Sequence, residues 1–179
     1  SANQINELKE PFLAGIFNIS SHHPYKIPDN YKKLVKKGPE DICAAINYSD
    51  MALKEFWEKI QHSNWFNNTL FVFCADHTAP SKRKKNLSTK YKFSIPIAFY
   101  HPKINLKKIS HEKQLQHLDI MPTILDLINC KQSYYAYGSS IFDKNKTPKI
   151  VHSQGNFMIF ENSNKIIQWN EQKEITSIS

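Results

Sequence analysis

The residues best suited to chemistry in this 179-residue chain are Asp76 and His77, which close the segment Asn68-Thr-Leu-Phe-Val-Phe-Cys-Ala-Asp-His77. An apolar run from Leu70 to Cys74 ends in a small residue, then a carboxylate beside an imidazole. Side chains alternate between the faces of a strand, so neighbours converge on one ion only where the strand has already ended. Pro80, three residues on, favours a loop at this point. The carboxyl ends of strands in α/β sheets are where ligands sit. One carboxylate and one imidazole form half of a divalent metal site. A plainer reading also fits, in which Asp76 caps the next turn and His77 is an ordinary loop histidine. Spacing alone leaves both open.

The elements that must position this pair follow from hydrophobic periodicity. Phe12 to Ile19 is a continuous apolar run and reads as a buried strand. The polar loop Ser20-Ser-His-His-Pro-Tyr25 follows it. From Asp41 to His62 the apolar positions Ile42, Ala45, Ile46, Leu53, Phe56, Trp57 and Ile60 recur at helical spacing, with Ser49 the weak position. Pro39 and Asn64 mark its limits. Thr69 to Cys74 reads as a second strand and Ile95 to Tyr100 as a third, with Pro96 pointing to an edge or a strand start. Asp119 to Ile128 reads as a helix with Pro122 in its first turn. Val151–Ser153, Asn156–Glu161 and Lys165–Trp169 read as short antiparallel strands, with Asn162-Ser-Asn164 as a turn. The expected fold class is α/β, a sheet with flanking helices and a small antiparallel C-terminal sheet. The expected division is residues 1–149 for the main part and 150–179 for the appendage.

Composition bounds the partners. The chain is 40% hydrophobic and 12% aromatic, which suits a globular domain rather than disorder. No apolar stretch is long enough to span a bilayer. The N-terminus lacks the basic and apolar regions of a signal peptide, and it starts without Met, so a longer parent polypeptide is expected. The net charge of +8 gathers in clusters such as Lys32-Lys33, Lys36-Lys37, Lys82-Arg83-Lys84-Lys85 and Lys107-Lys108. An anionic membrane surface or nucleic acid would suit such charge, and so would a merely solvated Lys-rich surface. No aromatics interleave with the clusters as a base-stacking platform needs, which argues against nucleic acid. Cys43, Cys74 and Cys130 form no paired framework, and Cys74 is expected to pack as a small buried hydrophobe.

Six segments in order resemble the alkaline phosphatase–sulfatase superfamily, in particular its lipoteichoic acid synthase-like phosphoglycerol transferases. Ser21-His-His-Pro-Tyr25 is similar to the family's His-x-Pro-aromatic loop, and Ile46 to Phe56 to its helix carrying Tyr-x-Asp-x-x-Leu. Asn68 to Thr78 resembles its strand ending in Asp-His, and Ser94 to Tyr100 its Ile-Pro-hydrophobic strand. His117 to Leu127 resembles its Asp-x-x-Pro-Thr helix, and Tyr137-Gly-Ser-Ser-Ile-Phe142 its Gly-x-Ser segment. The family's N-terminal elements find no counterpart. There is no Cys-x-Pro-x-Arg element, and Thr69, Thr78, Thr89 and Thr123 sit in no nucleophile-like context. The chain is therefore expected to be the C-terminal half of a larger catalytic domain, with the nucleophile upstream.

The resemblance implies that Asp76 and His77 ligate a divalent cation (Mn, Mg, Zn or Ca) and that His22 contacts the substrate, with His23 as the register alternative. The implied reaction is transfer of a phosphoglycerol or similar phosphoalcohol group on a membrane lipid or envelope glycan, in an extracytoplasmic domain of a bacterial membrane protein. A sulfate or phosphate ester hydrolase on the same fold is the first rival, and a non-catalytic binding module the second. His117 and Asp119 read more readily as capping and packing residues than as site residues, as do Tyr48 and Asp50. Lys82 to Lys85 could line an anionic entrance or form a solvated loop. Expected partners are the anionic phosphoester substrate and the absent half of the domain. Exposed sheet edges of a half-domain invite self-association.

Overall fold

The structure, a computed structural model, describes residues 1–79, 92–106, 114–146, 149–154, 157–161, 165–172 and 174–178. It divides into two units, Ser1–Leu106 and Lys107–Ser179.

In the first unit the order is helix α1 (Ala2–Asn6), helix α2 (Ile42–Ile60), strand β1 (Phe71–Cys74) and strand β2 (Ile97–Tyr100). The helical spacing of apolar residues delivers α2 within a residue or two of its expected limits. Ala45 and Ile60 of α2 are fully buried. Ile60 joins Ala2, Ile5, Trp65 and Phe66 in a core flanked by Phe12, Phe56, Trp57 and Phe71. Burying a side chain of this size contributes about 1.5–3 kcal/mol. The Trp57 ring meets Phe71 at 4.9 Å and Tyr100 at 5.3 Å, between ring centres, so α2 lies on both strands. Helix α1 carries no signal strong enough to read from five residues; it is held by tertiary contacts. Asn6 Oδ1 accepts from Ser63 Oγ at 2.8 Å and from Trp65 Nε1 at 2.9 Å.

The two strands pair antiparallel, Phe71 with Tyr100 through Cys74 with Ile97. Ala75 N–H donates to Pro96 carbonyl at 3.3 Å, so the pairing runs out just before Asp76. Pro96 stands at the entry to β2, one of the two places expected for it.

Two expectations are corrected here. Residues 12–19 are not a paired strand; they run without a ladder partner among the described residues. Apolarity favours burial but does not supply the second strand that a ladder requires. Leu13, Phe17 and Ile19 are instead 95%, 76% and 69% exposed. Cys74 is exposed rather than buried, because it ends β1 beyond the cover of the α2 aromatics.

In the second unit a single 3₁₀ turn (His117–Asp119) leads into helix α3 (Ile120–Leu127), with Pro122 in its first turn. Strands β3 (Ile150–Gln154), β4 (Phe157–Glu161), β5 (Ile166–Asn170) and β6 (Ile175–Ile178) follow in an antiparallel meander of that order. The first three match the expected appendage; β6 is additional and pairs with β5 across a bulge at Gln168 and Trp169. The expected turn at 162–164 lies outside the described residues, as does the cluster Lys82–Lys85.

Candidate functional site

Because β1 stops at Cys74, residues 76 to 78 are free of ladder geometry, and adjacent side chains need not face opposite ways. His77 Nε2 stands 3.5 Å from Asp76 Oδ2. Each partner is tied down by its other polar atom. Asp76 Oδ1 accepts from the His77 backbone N–H at 2.8 Å. His77 Nδ1 lies 2.8 Å from the Thr78 carbonyl. A carbonyl can only accept, so Nδ1 carries a proton, and Nε2 is the ring nitrogen that stands beside the carboxylate. Both side chains are more than half exposed, so the contact contributes little to stability as an ion pair. The Thr78 hydroxyl donates to the Lys92 carbonyl, across residues 80–91.

The donor spacing of 3.5 Å stands just beyond the span a bound cation would set. An ion about 2.1 Å from both atoms sets them about 3.0–3.4 Å apart, for octahedral to tetrahedral angles. Oxygen and imidazole nitrogen are a donor pair for Mn, Mg, Zn or Ca in differing degree. The fit is that of a half-site: among the described residues no third His, Cys, Asp or Glu completes a ligand group.

Beside this corner, packing around the Cys74 thiol pushes its pKa up, with a smaller push from the Asp76 charge. Its Sγ donates to the Ala75 carbonyl at 3.1 Å. A thiol kept protonated is a poor ligand and nucleophile.

His22 occupies a turn closed by Tyr25 N–H donating to the His22 carbonyl at 2.8 Å. Tyr25 sits in the left-handed region with φ 57, a conformation costly for a bulky residue. His22 Nδ1 is 2.7 Å from the His23 carbonyl, so this ring too turns Nε2 outward. His23 stacks edge-on against Tyr25 at 5.7 Å, a packing role. His22, Asp76 and His77 do not form a common three-residue ligand group.

Asp119, in the second unit, is a structural carboxylate. It is 1% exposed. It accepts from Gln116 N–H at 3.0 Å and Ser139 N–H at 2.9 Å, and pairs with Lys146 Nζ at 2.7 Å. Thr123 Oγ1 donates to the Asp119 carbonyl and accepts from Ile141 N–H. The Asp-x-x-Pro-Thr and Gly-x-Ser segments are thus stitched to each other. Gly138 completes the join, since a Cβ there would stand 2.2 Å from the Leu118 carbonyl. A cleft of about 220 Å³ opens here, lined by residues including Tyr137 and Lys149; Asp76, His77 and His22 take no part in it. Lys146 carries no sequence signal beyond its charge; only the fold shows it as the partner of Asp119.

A family model described as sulfatase matches residues 1–130. Lipoteichoic acid synthase 1 of Bacillus subtilis (strain 168) is 23% identical over 175 residues, 88% of this chain and 27% of that protein. The lipoteichoic acid synthase-like YvgJ of the same organism is 21% identical over 180 residues, 88% of this chain and 29% of that one. The chain therefore spans under a third of the length of these relatives. A crystal structure of an alkaline phosphatase superfamily protein from Vibrio parahaemolyticus superposes with a TM-score of 0.76 at 22% identity, covering 98% of this chain and 42% of that one. That likeness shows the fold, a mixed α/β arrangement of that superfamily.

Proposed function

This chain belongs to the sulfatase family, and from that premise we propose that it supplies two ligands of a divalent cation, Asp76 and His77, to a phosphoglycerol or phosphoalcohol transferase. The observation that carries the reading is the tethered pair itself: Nε2 and Oδ2 held 3.5 Å apart, each anchored through its neighbouring atom. Likeness to lipoteichoic acid synthases supports transfer over plain hydrolysis. The substrate in this reading is an anionic phosphoester on a membrane lipid or envelope glycan, handled at the extracytoplasmic face. Among the described residues no helix is long and apolar enough to cross a membrane.

A bound divalent cation supplies charge neutralisation on phosphate and lowers the pKa of a coordinated hydroxyl. The chain's own residues do the rest of what falls to this half. Asp76 contributes negative charge and His77 a neutral nitrogen. His22, its Nδ1–H committed to the His23 carbonyl, has Nε2 available. In the charged form Nε2–H donates to a phosphate oxygen or protonates the departing alkoxide. The nucleophilic hydroxyl comes from polypeptide outside these 179 residues, and so do the remaining ligands. The apolar run at 12–19 is the face on which that polypeptide docks, since Leu13 and Phe17 stand in solvent.

The test uses nuclear magnetic resonance of the chain with manganese. At millimolar metal the His77 ring signals broaden first; D76N abolishes that broadening, and H77Q abolishes the accompanying broadening of the Asp76 and Thr78 amide signals. In the longer parent protein the same substitutions stop release of diacylglycerol from a phosphoglycerol-bearing lipid. Turnover that survives both substitutions sinks the assignment.

A further inference from the structure

We propose that Thr78 is a positioning residue: its hydroxyl holds the loop so that its carbonyl locks the His77 ring in the cation-ligating tautomer. The inference rests on the metal reading above and adds to it the device that sets the nitrogen.

Three contacts carry it. The Thr78 hydroxyl donates to the Lys92 carbonyl, so residue 78 is pinned to chain fourteen residues on. The Thr78 carbonyl faces His77 Nδ1 at 2.8 Å and obliges that nitrogen to hold the proton. His77 Nε2, the nitrogen left to ligate a cation when the neutral ring holds its proton on Nδ1, faces Asp76 Oδ2 at 3.5 Å. Without the hydroxyl tether the residue follows a loop whose β1 pairing has already ended, and the carbonyl is free to rotate. A neutral imidazole that moves its proton to Nε2 has its lone pair on Nδ1, away from the Asp76 carboxylate, and offers none to a cation held beside Asp76. Groups that orient a ligating imidazole through its second nitrogen change metal affinity by about 10–100-fold when removed.

His101 shows that local backbone sets ring state in this unit. Its Nδ1 accepts from Lys103 N–H and Ile104 N–H, both at 3.1 Å. That ring therefore holds its proton on Nε2, the opposite tautomer. It serves as an internal control for the fold, because the groups that set its ring are the Lys103 and Ile104 N–H groups.

The experiment records two-bond nitrogen–proton spectra of the chain labelled with nitrogen-15 histidine, at about pH 8, where imidazoles are neutral. Wild type and T78S are expected to show His77 with the proton on Nδ1. T78V is expected to show both tautomers, and the manganese concentration that broadens His77 is expected to rise about tenfold. His101 stays protonated on Nε2 throughout; should T78V disturb it, T78A gives the same reading with a smaller side chain. An unchanged His77 tautomer in T78V and T78A overturns the proposal, and so does a T78S that behaves like T78V. Manganese that leaves wild-type His77 sharp removes the metal reading, while the tautomer result still decides the role of Thr78. Manganese bound alike by wild type and T78V, with the tautomer unchanged, removes the role of Thr78 and leaves the metal reading standing.

Discussion

Replacing Lys146 by Met isolates a buried carboxylate, and the size of the loss follows from its surroundings. The Asp119 and Lys146 side chains are 2% and 7% exposed, and their charged atoms are 2.7 Å apart. Removing one member of such a pair leaves an uncompensated charge and costs about 3–5 kcal/mol. Two backbone N–H groups remain on the carboxylate, from Gln116 and Ser139. They soften the loss, so the expected value is the lower end, about 3 kcal/mol. With a urea slope of about 2 kcal/mol per molar, the unfolding midpoint falls by about 1.5 M. The double variant D119L/K146M separates two ideas. If the carboxylate acts mainly as a counterion, the double variant recovers most of the loss. If it acts mainly as acceptor for the two amides, the double variant stays destabilised, because each orphaned buried N–H costs about 1–3 kcal/mol. The geometry favours the second outcome. A K146M midpoint shift of less than about 0.3 M would refute the reasoning, since it would mean the charge is not desolvated.

Two further outcomes are expected. Replacing Leu13 and Phe17 by Ser is expected to lower self-association in light scattering and to leave the unfolding free energy within about 0.5 kcal/mol of the original, because both side chains stand in solvent; an unchanged association state would remove residues 12–19 as the surface through which the chain self-associates. Burial holds the His152 imidazole below its ordinary value, so the unfolded chain binds more protons at mildly acidic pH, and stability is retained above about pH 6.5 and lost as pH falls; H152N is expected to flatten the difference between melts at pH 5 and pH 7.5, and an identical slope in the variant would contradict it.

What the sequence by itself determined are features encoded within a few residues. The spacing of Ile42, Ala45, Phe56 and Ile60 specifies α2. Pro122 allows a helix start, and alternating runs specify the antiparallel strands β3 to β5. The end of an apolar run places Asp76 and His77 at a strand terminus, since ladder geometry and its loss are local matters. Six short motifs in order named the fold family without any coordinates. Tertiary structure alone decided the rest, because it depends on groups that meet only after folding. Apolar residues 12–19 satisfy every local rule for a strand, yet pairing needs a partner, and the described chain offers none. The few residues of α1 are held helical by contacts made on folding: Ala2 and Ile5 join the core with Ile60, Trp65 and Phe66, and Asn6 meets Ser63 and Trp65. Asp119 and Lys146 are distant along the chain and identifiable as a pair only once burial makes their charges costly apart. The lone pair of His77 is likewise a product of folding: the residue type allows either nitrogen, and the direction of the Thr78 carbonyl selects one.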